Sequence, residues 1–120
     1  MHVNRIIADL HVDDIETAKS FYTDFLGLST ESFNMGWVAR FTSADAETVV
    51  QLVTGDKTAP AEPVLSVLTD DVEGAFAEAQ RRGYEIVHPL TTESWGVRRF
   101  FVRALDGNLL NIVRHKNSPA

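Results

Sequence analysis

The sequence predicts an α+β fold made of two βαβββ repeats, which form a curved mixed sheet around a concave cavity. Each half of the 120 residues shows the same order of strand-like alternation, one helical apolar stripe and three further strand-like runs. The segment Asp13-Asp14-Ile15-Glu16 returns as Asp70-Asp71-Val72-Glu73, and Val50-Gln51-Leu52-Val53 matches Leu110-Asn111-Ile112-Val113. Repeated order of elements is a stronger sign of duplication than matching residues alone.

The first half begins with an alternating strand over residues 5–12. Asp13-Asp14 then caps a helix, since a carboxylate accepts the free N–H groups of a first turn. The helical stripe comprises Ile15, Ala18, Phe21, Tyr22, Phe25 and Leu26. Gly27 ends this helix, and strands over 28–33, 37–42 and 48–54 complete the repeat.

The second half follows a polar, proline-interrupted linker at 56–63, so a single domain over 1–120 has halves at about 1–55 and 64–115. A strand over 64–68 leads to a helix that Asp70-Asp71 caps and Gly83 ends. Strands over 84–88, 98–103 and 109–113 come next. Asp106-Gly107 is a hairpin signal between the last two strands. The overlay also pairs Gly36 with Gly96 and Phe41 with Phe101.

Composition excludes several classes of function. The formal charge of −6 argues against a nucleic-acid surface, which needs a basic face, and against anionic membranes. The absence of cysteine excludes disulfides, thiolate metal ligands and a cysteine nucleophile. No signal peptide or membrane span is evident, so we expect a cytoplasmic protein.

Several motifs resemble the vicinal oxygen chelate superfamily, which includes glyoxalase I, extradiol dioxygenases, fosfomycin-resistance enzymes and bleomycin-binding proteins. They are Val12-Asp13-Asp14-Ile15-Glu16, Phe21-Tyr22 with Leu26-Gly27-Leu28, Asp70-Asp71-Val72, Trp95-Gly96-Val97-Arg98 and Asp106-Gly107-Asn108. The resemblance covers nearly the whole chain. It implies the duplicated fold, but the family's members carry out unrelated reactions or bind without catalysis.

The resemblance also implies where a metal would be held. Enzymes of this superfamily take one ligand from the first strand and one from the last strand of each half, usually His and Glu. Those positions fall on Ile7, Gln51, Val64 and Asn111. Two are aliphatic and two are neutral amides, so we expect no metal and no other cofactor, and we lean against an enzyme.

The candidate ligand-binding residues are rings and polar groups: Trp37, Trp95, Phe33, Gln51, Asn111, Ser66, His11 and Asp9. The two indoles occupy equivalent places in the halves, which suits a planar ligand between aromatic walls, although core or dimer packing explains them equally well. Asp9 and His11 share a strand face with Ile7. Of Arg98 and Arg99, which point to opposite faces, one reaches the cavity rim. His88 and His115 are expected at the surface.

These observations favour metal-independent binding and sequestration of an apolar or aromatic small molecule, as in bleomycin-type resistance proteins. A peptide or aromatic antibiotic is one such ligand. Members resembling this chain are commonly homodimers with pockets across the interface, so we also expect a homodimer. The alternative is a lyase, isomerase or dioxygenase of the same superfamily, which needs a metal or acid–base work by His11 with Asp9. A protein–protein adaptor is a third possibility.

Overall fold

The computed structural model describes residues 1–115. Its elements follow the predicted order: β1 (Arg5–His11), α1 (Ile15–Ser20) continued by a π-helical turn (Phe21–Phe25), β2 (Thr30–Asn34), β3 (Val38–Thr42), β4 (Val49–Val53), β5 (Leu65–Leu68), α2 (Val72–Arg81), β6 (Glu85–Thr92), β7 (Val97–Arg103) and β8 (Leu109–His115). No helix in this part of the chain is long and apolar enough to cross a bilayer.

The two repeats have the same strand order. In the first repeat, β1 to β4, the order is β2-β3-β4-β1, with β1 parallel to β4 and the other pairs antiparallel. The second repeat, β5 to β8, has the same order when it is read from its outer edge, β6-β7-β8-β5, with β5 parallel to β8 and the other pairs antiparallel. The prediction of a mixed sheet from two βαβββ repeats is therefore confirmed. The compact units are Ile7–Lys57 and Met1–Ile6 with the chain from Thr58 onward.

Both helices begin where the acidic pairs predicted. Asp14 accepts a hydrogen bond from the Thr17 backbone N–H at 3.1 Å, and Asp71 accepts one from the Gly74 N–H at 2.9 Å. The hydrogen bonds from Thr17 to the Asp14 carboxylate lower the pKa of Asp14. These contacts satisfy donors that a helix start otherwise leaves free.

The end of the first helix differs from the prediction. Residues Phe21–Phe25 form a π-helical turn, in which the Leu26 N–H donates to the Phe21 carbonyl five residues back. A π turn inserts one residue and so rotates the following side chains away from the α-helical stripe. Phe25 and Leu26, which belong to the predicted apolar stripe, are exposed as a result, and Phe21 at the start of the turn is exposed as well. Tyr22 remains packed on the first repeat's core.

The strands of each repeat bury one face under the helix of that repeat. In the first repeat the helix side contains Ala39, Phe41, Val50 and Leu52; in the second it contains Val67, Phe100, Val102 and Ile112. Phe41 and Phe101, which the sequence overlay paired, therefore lie on opposite sheet faces. The cause is the turn before β7. There the Glu93 N–H donates to the Val97 carbonyl four residues further on, whereas in the turn before β3 the Met35 N–H donates to the Val38 carbonyl three residues further on. One extra residue reverses which side chains face the helix.

Candidate ligand-binding faces

The first helix-free face is the side of the first repeat's sheet that points away from α1. Its centre is Gln51 on β4, which is paired with Asp9 on β1 and Arg40 on β3. The Gln51 Nε2 donates to Asp9 Oδ1 at 2.7 Å, and its Oε1 accepts from Arg40 Nε at 2.9 Å and Nη2 at 2.7 Å. The amide thus joins a carboxylate to a guanidinium across three strands, and both ends of it are already used.

The other predicted residues of the first repeat are less closely grouped. The Arg40 guanidinium lies 4.8 Å from the centre of the Phe33 ring, which brings Phe33 to the Gln51 group. Trp37 is half-buried just before β3, where its carbonyl accepts from the Thr54 N–H at 2.9 Å. His11 is exposed at the end of β1.

The second helix-free face is the corresponding side of the second repeat's sheet. Ser66 on β5 and Asn111 on β8 are paired and buried there, and Asn111 Nδ2 donates to Ser66 Oγ at 3.1 Å. Asn111 is only 8% exposed, yet its carbonyl oxygen Oδ1 accepts no hydrogen bond within the described chain. A buried acceptor of this kind is rare and calls for a physical explanation.

Aromatic rings and a guanidinium extend the second helix-free face towards Trp95. Phe101 is paired with Asn111 across β7 and β8. The Arg99 guanidinium lies 4.9 Å from the Phe101 ring centre and 5.1 Å from that of half-buried Trp95. The Trp95 indole N–H donates to Thr58 Oγ1 at 3.4 Å. A flat cation between two rings makes this a layered surface suited to planar groups.

Arg99 is held in place by a buried ion pair. It is 3% exposed, and its Nε donates to Glu93 Oε2 at 2.7 Å. The same oxygen lies 3.1 Å from His88 Nε2, and the His88 ring is 5.1 Å from the Phe101 ring. The expectation that His88 is a surface residue was wrong, because β6 continues through Pro89 to Thr92 and carries His88 inward. Arg98 and Arg99 do point to opposite faces, as predicted.

The family's metal-ligand positions do not fit a metal ion. Ile7 and Val64 offer no donor atom. The Gln51 oxygen faces the positive charge of Arg40, which opposes a second cation. Asn111 is a neutral amide with one free oxygen. Within residues 1–115 no group of three His, Asp or Glu side chains is arranged to hold a metal.

The bridging role of Gln51 makes a pH-dependent prediction for Gln51→Glu. The new carboxylate cannot donate to Asp9, whose oxygen lies 2.7 Å from the amide nitrogen. Two carboxylates this close retain one proton between them, so the pKa of one rises on folding. A carboxyl group whose pKa is higher in the folded chain than in the unfolded chain favours folding while it is protonated. The stability of the variant therefore falls as the pH rises above the unfolded pKa of that group. We expect the variant to lose about 1–3 kcal/mol in urea melts between pH 4 and 7.5.

The double variant Asp9→Asn with Gln51→Glu is the matched control for this prediction. It keeps the new carboxylate beside Arg40 but removes its negative neighbour. We expect its free energy of unfolding to return to within about 1 kcal/mol of the parent chain at pH 7.5. Identical stability of Gln51→Glu and the parent at both pH values would contradict the proposed charge arrangement.

Comparisons with known proteins agree with this architecture. The family model described as the Glyoxalase/Bleomycin resistance protein/Dioxygenase superfamily matches residues 2–112. No curated protein matches significantly.

Three solved structures have similar folds. A superfamily member from Vibrio splendidus 12B01 is 20% identical, with a TM-score of 0.70 over 92% of this chain and 97% of its own. Methylmalonyl-CoA epimerase from Mycobacterium tuberculosis is 19% identical, with a TM-score of 0.71 over 94% and 89%. A structure titled NAD-dependent benzaldehyde dehydrogenase from Legionella pneumophila is 15% identical, with a TM-score of 0.75 over 93% and 100%. At these identities the likeness establishes the fold alone.

Proposed function

The chain belongs to the glyoxalase/bleomycin resistance protein/dioxygenase superfamily, and we propose that it binds and sequesters an apolar or aromatic small molecule without a metal ion. The bound molecule lies on the second helix-free face. Its affinity comes from ring contact, and its orientation is set by a few polar groups, as in most small-molecule sites.

The observation that carries the proposal is the unpartnered carbonyl oxygen of Asn111. A buried acceptor that makes no hydrogen bond costs about 1–3 kcal/mol of stability. That cost is recovered when a ligand N–H or O–H donates to the acceptor. Turning the amide over would not satisfy the whole group, because Ser66 Oγ would then have to donate to Oδ1 and the amide nitrogen would be left without an acceptor. The ligand we propose therefore carries a donor group next to an apolar or aromatic body.

The rings beside Asn111 support an aromatic body. Phe101 is the cross-strand neighbour of Asn111, and Arg99 lies over both Phe101 and Trp95. The half-buried indole keeps part of its surface available for contact, and its N–H is satisfied by Thr58. Offset or edge contact with such rings contributes about 0.5–1.5 kcal/mol beyond the area buried.

The donor chemistry of the four family positions supports metal independence. Ile7 and Val64 supply nothing to a cation, and Gln51 is already saturated by Asp9 and Arg40. Asn111, a neutral amide, is better suited to orienting a ligand than to holding a metal ion. The proposed role is consequently capture, with no chemical step.

The proposal is tested by tryptophan fluorescence with bleomycin and aromatic peptide antibiotics as probes. The chain has two tryptophans, so Trp37→Phe leaves Trp95 as the only indole reporter. We expect saturable quenching of Trp95 by at least one probe. In the Trp37→Phe background, Asn111→Leu should weaken that binding at least tenfold, since a ligand donor loses its acceptor.

Stability measurements separate loss of binding from loss of folding. Asn111→Leu removes both the unpartnered acceptor and the hydrogen bond to Ser66, so the two effects oppose each other and we expect its free energy of unfolding to stay within about 1 kcal/mol of the parent in urea melts. The exposed Asn4→Leu substitution is the matched control and should leave probe affinity unchanged. Equal probe affinity for Asn111→Leu and Asn4→Leu, or no quenching by any probe, would refute this site.

We retain the homodimer as part of the proposal, on the resemblance to dimeric members of the family. Sedimentation equilibrium of the full chain measures it directly, and a monomer at micromolar concentration would remove it without affecting the Asn111 site.

A metal-free acid–base enzyme is the second candidate, and the His88–Glu93 contact of 3.1 Å favours it. Arg99 Nε binds the same Glu93 oxygen at 2.7 Å, so that oxygen is shared between the guanidinium and the imidazole. Solvent deuterium exchange into a bound ligand, abolished by His88→Gln, would favour catalysis over capture.

A further inference from the structure

A cavity of about 530 Å³ lies on the helix side of the second repeat, opposite the second helix-free face. We name it the helix-side cavity. Its walls are the apolar side chains of α2, β7 and β8: Ala75, Ala79, Phe100, Val102, Leu110 and Ile112. None of the residues proposed above for ligand capture lines it. Its volume is within the usual range for small-molecule sites.

A difference between the repeats explains the cavity. At the end of α2 the Tyr84 N–H donates to the Ala79 carbonyl, and at the end of the first helix the Leu28 N–H donates to the Tyr22 carbonyl. Ala79 and Tyr22 are thus in equivalent places. Tyr22 packs on the first repeat's core, whereas the methyl group of Ala79 leaves the corresponding space open.

The aromatic ring of α2 lies nearer the start of the helix. Phe76 packs edge-to-face on Phe100, with ring centres 5.1 Å apart, and this contact holds α2 on the sheet. Phe76 precedes Ala79 by almost one turn, so its ring does not fill the space beside Ala79. The cavity is therefore a consequence of where the large side chain has been placed.

The charged residues that line the cavity favour an anion. They are Arg82 and Arg103 against one acid, Glu78. Arg82 pairs with Glu78. Arg103 Nη1 donates to the Gly107 carbonyl at 3.0 Å, and its Nε lies 3.4 Å from Glu85 Oε1, so both guanidinium groups are fixed near the cavity. The exposed apolar side chains of Met1 and Leu105 also line it. Among the lining side chains alone, two guanidinium groups stand against one carboxylate, since Glu85, the partner of Arg103, does not line the cavity.

We infer that the helix-side cavity is a second binding site, which takes an amphipathic anion with an aliphatic or aromatic body and one carboxylate. The body contacts Ala75, Ala79 and Phe100, and the carboxylate lies towards Arg82 and Arg103. This site is independent of the Asn111 site, because it uses the other face of the sheet and an anionic rather than a hydrogen-bond-donating ligand.

Calorimetric titration of the full chain with octanoate, with 1-octanol as the neutral comparison, tests the inference. We expect octanoate to bind with one-to-one stoichiometry and at least fivefold more tightly than 1-octanol. The Ala79→Leu substitution extends a side chain into the cavity and should weaken octanoate at least tenfold. Arg103→Gln should remove most of the preference of the site for octanoate over 1-octanol.

Ala77→Leu is the matched control, since Ala77 lies on the exposed side of the same helix and does not line the cavity. It should change octanoate affinity less than twofold. Thermal melts verify that each variant is folded, and Ala75→Leu provides an independent block if Ala79→Leu fails to fold. The inference would be wrong if the parent chain does not bind octanoate, or if Ala79→Leu and Ala77→Leu bind octanoate with equal affinity. Neither outcome bears on quenching of Trp95, so the two proposals are tested separately.

Discussion

Replacement of Arg99 by methionine is expected to lower the free energy of unfolding by about 3–5 kcal/mol. Arg99 and Glu93 are paired at 2.7 Å, and their side chains are 3% and 8% exposed. Removing the guanidinium leaves the carboxylate of Glu93 in an environment from which water is largely excluded. Methionine has a similar length and no charge, so the loss is mainly electrostatic. Urea melts at neutral pH measure it.

The adjacent residue provides the control for this prediction. Arg98 contacts Glu73 at 2.8 Å on the opposite face of β7, where the two side chains are 30% and 48% exposed. Solvent screens such a pair, and we expect Arg98→Met to cost at most about 1 kcal/mol. Similar losses for the two variants would show that water reaches Arg99.

A second substitution distinguishes an unpaired charge from lost packing. With Glu93→Leu added to Arg99→Met, the carboxylate that has lost its guanidinium partner and keeps the contact with His88 is gone, and most of the lost stability should return. Continued instability of the double variant would mean that the rings of Trp95 and Phe101 need the guanidinium between them. In that case the layered surface itself, and not the ion pair, is what holds the turn before β7.

The sequence was sufficient to predict the order of elements, because each depends on local patterns. Asp14 and Asp71 cap the helices as predicted. The relative register of the repeats was not predictable from those patterns. Phe41 and Phe101 appeared equivalent, yet one extra residue in the turn before β7 places them on opposite faces. Period-two alternation reports which residues share a face but not which face is covered.

The site was predictable only in part, and for a related reason. Gln51 and Asn111 were identified from their places in the last strand of each repeat, and Asp9 and Ser66 from the first strands. Their mutual contacts arise from parallel pairing between strands far apart in the chain. The group around Glu93 was missed, because His88-Pro89 looked like a strand end. Proline is tolerated at the edge of a sheet, where β6 lies, and the strand continues past it.

Phe100→Ala should have an effect as large as Arg99→Met, about 3–5 kcal/mol, because it removes a fully buried ring. The ring contacts Phe76 on α2 and forms one wall of the helix-side cavity. The alanine variant therefore enlarges a space that is already open and loses the aromatic pair that fixes α2. Phe25→Ala, at a ring that is 76% exposed, should change the unfolding free energy by no more than about 0.5 kcal/mol.

A small effect of Phe100→Ala would mean that α2 is held chiefly by charge. Glu73 accepts from Arg98 at 2.8 Å and from Arg114 at 3.0 Å, and these contacts, after a hydrogen bond from its own backbone, lower the pKa of Glu73. Ion pairs this exposed weaken as salt is added, whereas ring packing does not. The free energy of unfolding of Phe100→Ala relative to the parent, measured in 0.1 M and 1 M sodium chloride, thus separates the two mechanisms. If packing holds α2, the variant loses the same large amount at both concentrations. If charge holds α2, the loss is small in 0.1 M salt and grows in 1 M salt, where the ion pairs are screened.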